Sequence, residues 1–204
     1  MHKVILMVLL AILQPIFSGC GERAAGNKIE ASAPTVTAKE LTPEEQFAET
    51  KKKADAGDAK AQNILGLMYY EGQFVSQDYT EALKWLNLAA QQGDAEAQFY
   101  IGVMYDTGKG VYRDYAEAVK WFRLAAQQGH RSAQFHLGVI YKSGQGVPQD
   151  NVRAHLWFNL SAVSGYALAI KLRDEVAAKM TNTEIAEAQK MAKDCQANKF
   201  IGCD

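Results

Sequence analysis

AEAQFYIGVMYDTGKGVYRDYAEAVKWFRLAAQQGH, residues 95–130, is the middle of three consecutive copies of one 36-residue unit. The copy before it, residues 59–94, reads AKAQNILGLMYYEGQFVSQDYTEALKWLNLAAQQGD, and the copy after it, residues 131–166, reads RSAQFHLGVIYKSGQGVPQDNVRAHLWFNLSAVSGY. The three align without a gap. Gly66, Gly102 and Gly138 fall in register, as do Asp78, Asp114 and Asp150, then Trp85, Trp121 and Trp157, then Gly93, Gly129 and Gly165. A short unit that recurs in this way cannot bury its apolar side alone, so neighbouring copies must stack and share a core.

Each unit reads as two helices. Helix A starts near Ala59 and stops at Gly72, and a loop containing Val75 leads to Asp78, whose carboxylate suits a helix N-cap. Glu81, three places on, forms a capping-box-like pair with Asp78, and Glu117 repeats the pairing with Asp114. Asp150 is followed by Arg153 instead, so the third helix B is expected to start less firmly. Helix B runs to Gly93, Gly129 or Gly165, glycines that suit a left-handed stop. The tryptophans recur at one helix-B position and are expected between helices, in the core. His155 stands where Leu83 and Val119 stand in the other copies; the core reading is preferred over a ligand or base.

The recurring pattern A-x-A-Q-x-x-x-G-x-x-Y-x-x-G-x-x-V-x-x-D-x-x-x-A-x-x-W-x-x-x-A-A-x-x-G resembles the Sel1-like repeat, a relative of the tetratricopeptide repeat. The resemblance covers residues 59–166. It implies an all-α fold, a right-handed α-solenoid of antiparallel helix pairs, used as a protein-binding scaffold and in bacteria often exported. Partial copies extend it. Residues 43–58 contain QFAETKKKADAGD, which matches a helix B ending at Gly57. Residues 167–195 read as a helix A with Asp174 in place of the repeat glycine, expected to act as a cap, followed by a capping helix opened by Thr181 and Glu184.

At the N-terminus, His2 and Lys3 precede an uncharged apolar run over residues 4–13. It has the length of an export signal's hydrophobic region and is too short to span a bilayer. Ile16-Phe17-Ser18-Gly19-Cys20 resembles the lipobox of bacterial lipoproteins, with Phe17 where an aliphatic residue is usual. The resemblance implies a signal peptide over residues 1–19, lipidation of Cys20 and a membrane anchor through that lipid. Gly21 stands where an inner-membrane retention signal would have Asp, which implies the periplasmic face of the outer membrane in a Gram-negative cell. Ordinary signal cleavage and a retained anchor are the alternatives. Residues 20–42 lack periodic large apolar side chains and read as a flexible tether.

With Cys20 assigned to the lipid, two of the three cysteines remain. Cys195 and Cys203 flank the tail, residues 196–204, and outside the cytoplasm they would close a small disulfide loop worth ~2.5 kcal/mol. Two separate thiols are the alternative. Structural zinc wants four ligands and no histidine lies near them, so no metal is expected.

Composition narrows function further. The 204 residues carry 22 Lys+Arg against 23 Asp+Glu, a formal charge of -1, with no basic excess for a nucleic-acid partner. Nucleophile-elbow, zincin, phosphate-loop and dinucleotide-binding motifs are missing, so no catalytic residue and no cofactor is expected.

The copies themselves separate packing from recognition. On a helical wheel the nearly fixed positions Ala61, Gln62, Leu65, Gly66, Met68 and Tyr69 fill an arc from about 80° to 240°. The variable positions lie opposite, on the side that faces the concave surface in stacked helix pairs of this kind. They supply the expected partner-binding set of Asn63, Tyr70, Phe99, Tyr100, Asp106, Phe135, His136 and Lys142. The expected ligand is a protein or peptide segment. A polysaccharide or cell-wall ligand stacked on Tyr70, Phe99, Tyr100 and Phe135 is the alternative, and Phe99 and Phe135 have a purely packing role as theirs.

Overall fold

The computed structural model describes residues 41–163 and 165–203. The expected signal peptide, the expected lipidation site Cys20 and nearly all of the expected tether lie outside the described residues. Those residues form nine helices and no strand: α1 (Pro43–Asp55), α2 (Ala59–Glu71), α3 (Tyr79–Gln91), α4 (Ala95–Thr107), α5 (Tyr115–Ala126), α6 (Arg131–Ser143), α7 (Asn151–Ala162), α8 (Ala167–Ala177) and α9 (Asn182–Ala197). Helices α2 and α3, α4 and α5, and α6 and α7 are the three A and B pairs of an all-α helical-repeat fold.

Local chemistry sets the helix ends. Asp58 and Asp94 cap α2 and α4 through the amides of Ala61 and Ala97, each at 2.8 Å. Asp78 and Asp114 each accept from two amides at the starts of α3 and α5. Only half of the expected capping box forms there, because Glu81 and Glu117 turn to Lys84 and Lys120 one turn on. A salt bridge along the helix competes with the bond back to the cap and is nearer at hand. Full boxes form at α1, between Thr42 and Glu45, and at α9, between Thr181 and Glu184. In the third copy Asp150 takes the Arg153 amide at 2.9 Å and the Arg153 guanidinium at 2.6 Å, so an ion pair reinforces that start. Burial pushes the Asp150 carboxyl up, but the bonds from Arg153 outweigh it and hold the group below its usual range.

Two recurring residues explain how the copies pack. A Cβ added to Gly66, Gly102 or Gly138 would meet Leu86 Cγ at 2.7 Å, the Phe122 ring at 2.7 Å or the Phe158 ring at 2.6 Å. Glycine is what lets helix A approach helix B this closely. Gln62, Gln98 and Gln134 are buried, and each side-chain amide donates to the carbonyl of Ala54, Ala90 or Ala126 at the end of the preceding helix B. Gln92 and Gln128 donate in turn to Gln62 and Gln98 at 2.8 Å. The bonds to Ala54, Ala90 and Ala126 tie one copy to the next and satisfy carbonyls that a helix terminus leaves open, while the glutamine pairs brace helices A and B within a copy.

The structure also departs from expectation at two tertiary positions, Trp121 and Asp174. Trp85 and Trp157 are buried, but Trp121 is only half-buried. Trp85 shares its cluster with Ala54 of α1, and Trp157 with Ala192 and Cys195 of α9, whereas Trp121 sits on the rim of the cluster built on Ala82, Leu86 and Ile101. The fully buried ring of the middle copy is its neighbour Phe122. Asp174 is no cap: it lies within α8, exposed, and pairs with Arg173 at 2.8 Å. The glycine is dispensable there because α9 packs on α7 instead of forming the usual helix B against α8.

His155 is buried in α7, as its apolar counterparts Leu83 and Val119 suggested, and burial pushes its imidazole below the usual range. Beyond α9 the chain folds back. The Cys195–Cys203 disulfide closes the tail, both cysteines are buried with the third copy's core, and the Phe200 ring lies over the turn at Gly129.

Candidate interaction surface

The variable positions of α2, α4 and α6 and the residues beside them build a continuous row of rings. Tyr79 meets Tyr70 at 5.5 Å, Tyr70 meets Tyr100 at 5.5 Å, and Tyr100 meets Phe99 at 5.3 Å, all edge to face. The row continues from Phe99 to His136 at 5.5 Å, from His136 to Phe135 at 6.0 Å, and from Phe135 to Tyr166 at 5.2 Å. Edge-to-face pairs place the positive rim of one ring on the negative face of the next, which holds the row in one arrangement. The pairs that cross from one A helix to the next, Tyr70 with Tyr100 and Phe99 with His136, lie 30 and 37 residues apart in the chain and meet because stacked copies set neighbouring A helices side by side.

The expected binding residues fall into different environments along this row. Asn63 leaves the set: it is 9% exposed, because α2 turns that position into the helix contact and not outward. Phe99 and Phe135 are half-buried and serve packing as well. Phe99 lies 5.8 Å from Phe122 and stacks on His130 at 4.7 Å, and Phe135 lies 5.7 Å from Phe158. Tyr70, Tyr100, Asp106, His136 and Lys142 are also half-buried, each with part of its side chain open to solvent. Ile64, in register with Tyr100 and His136, is 47% exposed and continues that line.

The electrostatics of the row are mild. His136 stacks on Phe122 at 5.0 Å, and burial lowers its pKa against the opposing pull of Asp106. Burial raises the Tyr100 phenol, reinforced by Glu96 and Glu71. Lys109 donates to the Tyr70 hydroxyl at 3.0 Å and lies 4.7 Å from the centre of that ring; the hydrogen bond raises its pKa and keeps the cation in place. Lys142 pairs with Glu175 of α8 at 2.9 Å, joining adjacent A helices.

Sequence reasoning missed Tyr79, Lys109 and Tyr166. Tyr79 and Tyr115 follow the capping aspartate in two copies, a recurrence that was visible, but nothing local indicates that the first residue of helix B reaches the A-helix row. His130 takes the capping place that Asp58 and Asp94 hold in the other copies. Its Nδ1 accepts from the Ala133 amide at 3.2 Å, so Nε2 carries the hydrogen and donates to Glu96 at 3.0 Å. Among the described residues no three His, Cys, Asp or Glu side chains gather in a way that could hold a metal ion, and no helix is long and apolar enough to cross a membrane. The row offers flat apolar faces, a few charges at its edges, and no nucleophile paired with a base.

The Sel1 repeat model matches residues 59–94, 95–130 and 131–166. Among solved structures, the chain resembles a protective antigen with an SLR fold present in uropathogenic Escherichia coli strains, at 32% identity and a TM-score of 0.71 over 78% of this chain. The chain spans 35% of that protein's length. It also resembles a Sel1 repeat protein from Oxalobacter formigenes, at 36% identity and a TM-score of 0.58, over 64% of this chain and 98% of the other. No curated protein matches the chain.

Proposed function

The chain belongs to the Sel1 repeat family, commonly protein–protein interaction scaffolds, and from that premise we propose that it is a non-catalytic scaffold binding a protein segment along the helix-A surface. The observation that carries this reading is the aromatic row from Tyr79 to Tyr166, which keeps large rings partly open along three consecutive A helices. Rings of this kind dominate binding free energy when a partner covers them. A photo-crosslinking residue at position 64 or 100, compared with one at position 124 on helix B, tests it in cells. One adduct is expected from the A-helix positions, and with the crosslinker at position 64, Tyr70→Ala with Tyr100→Ala is expected to reduce it at least tenfold while the protein keeps its helicity. Adducts from position 124 alone would move the surface to helix B.

The scaffold works, in this proposal, from a lipid anchor at Cys20, facing the periplasm. The apolar run over residues 4–13 and the small residues before Cys20 support it. Cys20→Ser is expected to abolish labelling by a fatty-acid probe and to shift the protein out of the membrane fraction. Unchanged labelling would rule the anchor out.

A further inference from the structure

The three copies act as internal controls for one another, since a residue present in one copy alone is not required by the repeat. One position, next to last in each helix A, differs in every copy: Tyr70 in α2, Asp106 in α4 and Lys142 in α6. Two of the three have an electrostatic partner within the chain. The Lys109 ammonium bonds to the Tyr70 hydroxyl at 3.0 Å and lies 4.7 Å from the centre of that ring, and the Lys142 ammonium pairs with Glu175 at 2.9 Å. Asp106 differs. Among the described residues it makes no ion pair and no side-chain hydrogen bond.

The surroundings of Asp106 follow from the repeat. Tyr70 meets Tyr100 at 5.5 Å, and one copy further on the same two places hold Asp106 and His136. The Asp106 charge acts on the His136 imidazole, but burial disfavours the charged form of that ring and makes it a poor counter-ion. The cations of this region are engaged elsewhere: Lys109 on Tyr70, His130 with Glu96, and Arg113 over the Tyr115 ring at 5.2 Å. Gln145, uncharged, stands one copy on from Lys109. A carboxylate in the last turn of a helix also meets the negative end of the helix dipole, so the charge of Asp106 works against α4. Tyr70 and Lys142 show that the fold does not need it.

We propose that the partner segment carries a basic side chain that pairs with Asp106 and lies against the His136 ring. This rests on the scaffold reading and adds the partner's charge to it. An ammonium or guanidinium gives Asp106 the charge-assisted partner that the chain itself gives to Tyr70 and Lys142. Its apolar stem covers aromatic surface beside the carboxylate, as Lys109 covers Tyr70. Asp106 is half-buried, so a pair formed there is less screened by water than one at a fully exposed site.

The test is an amide NMR titration of the full-length protein at constant ionic strength. The probes are acetyl-leucyl-alanyl-arginyl-alanyl-leucine amide and the same peptide with citrulline, an uncharged isostere, in place of arginine. Saturable shifts are expected around Asp106 and His136 with the arginine peptide, and about fivefold weaker binding of the citrulline peptide. Asp106→Asn is expected to remove that preference without loss of helicity. Asp106→Lys, which installs the third copy's residue, is expected to weaken the arginine peptide further and serves alone if the asparagine variant melts early. Equal binding of the two peptides overturns the basic partner and leaves the scaffold reading standing, as does a preference for arginine that survives in a folded Asp106 variant. No saturable shift with the arginine peptide overturns it as well, and the crosslinks from positions 64 and 100 then decide the scaffold reading separately.

Discussion

Phe122→Ala is expected to destabilise the protein by about 3–5 kcal/mol, the range for removing a large aromatic from a packed core. The ring is fully buried at the centre of the array, against Gly102 of its own helix A, 5.0 Å from His136 and 5.8 Å from Phe99. Its loss opens a cavity beside a helix held close by glycine, and that contact cannot be remade by a small shift because the neighbouring copies hold both sides. In a stacked array each copy is stabilised through its neighbours, so damage to the middle one weakens both interfaces. Urea unfolding followed by helical circular dichroism measures the cost. Trp121→Ala, one residue away and half-buried, is the internal comparison and should cost less. Equal costs for the two would show that Phe122 is not the centre of this core.

Cys195→Ser with Cys203→Ser is the second large effect, expected to cost ~2.5 kcal/mol from the restored freedom of the unfolded chain. Both sulfurs are buried with Ala192, Tyr141 and Trp157, so two hydroxyls would also be placed in an apolar setting. The tail should then leave the body of the protein, Phe200 moving off the turn at Gly129. Amide exchange over residues 198–203 is expected to rise sharply, with a smaller rise in α9, and a melt of the oxidised protein with and without reductant should show the same ordering. Protection of the tail unchanged in the double serine variant would mean that packing of Phe200 alone, and not the disulfide, holds it down.

The sequence by itself determined the repeat, the helix pairs and most of their ends. Asp78, Asp114 and the glycines at 93 and 129 act on atoms within a turn of themselves, and bonds of that range are legible in a window of a few residues. Glycine recurring at 66, 102 and 138 marked the packed side correctly for the same reason of period. Only the tertiary structure decided what covers each side chain. Asn63 was expected on the variable side and Trp121 in the core, but the first is buried and the second half-open, because burial depends on which other helices pack against a position. Asp174 does not take its expected role as a cap, because α8 continues past it and the capping helix α9 packs on α7.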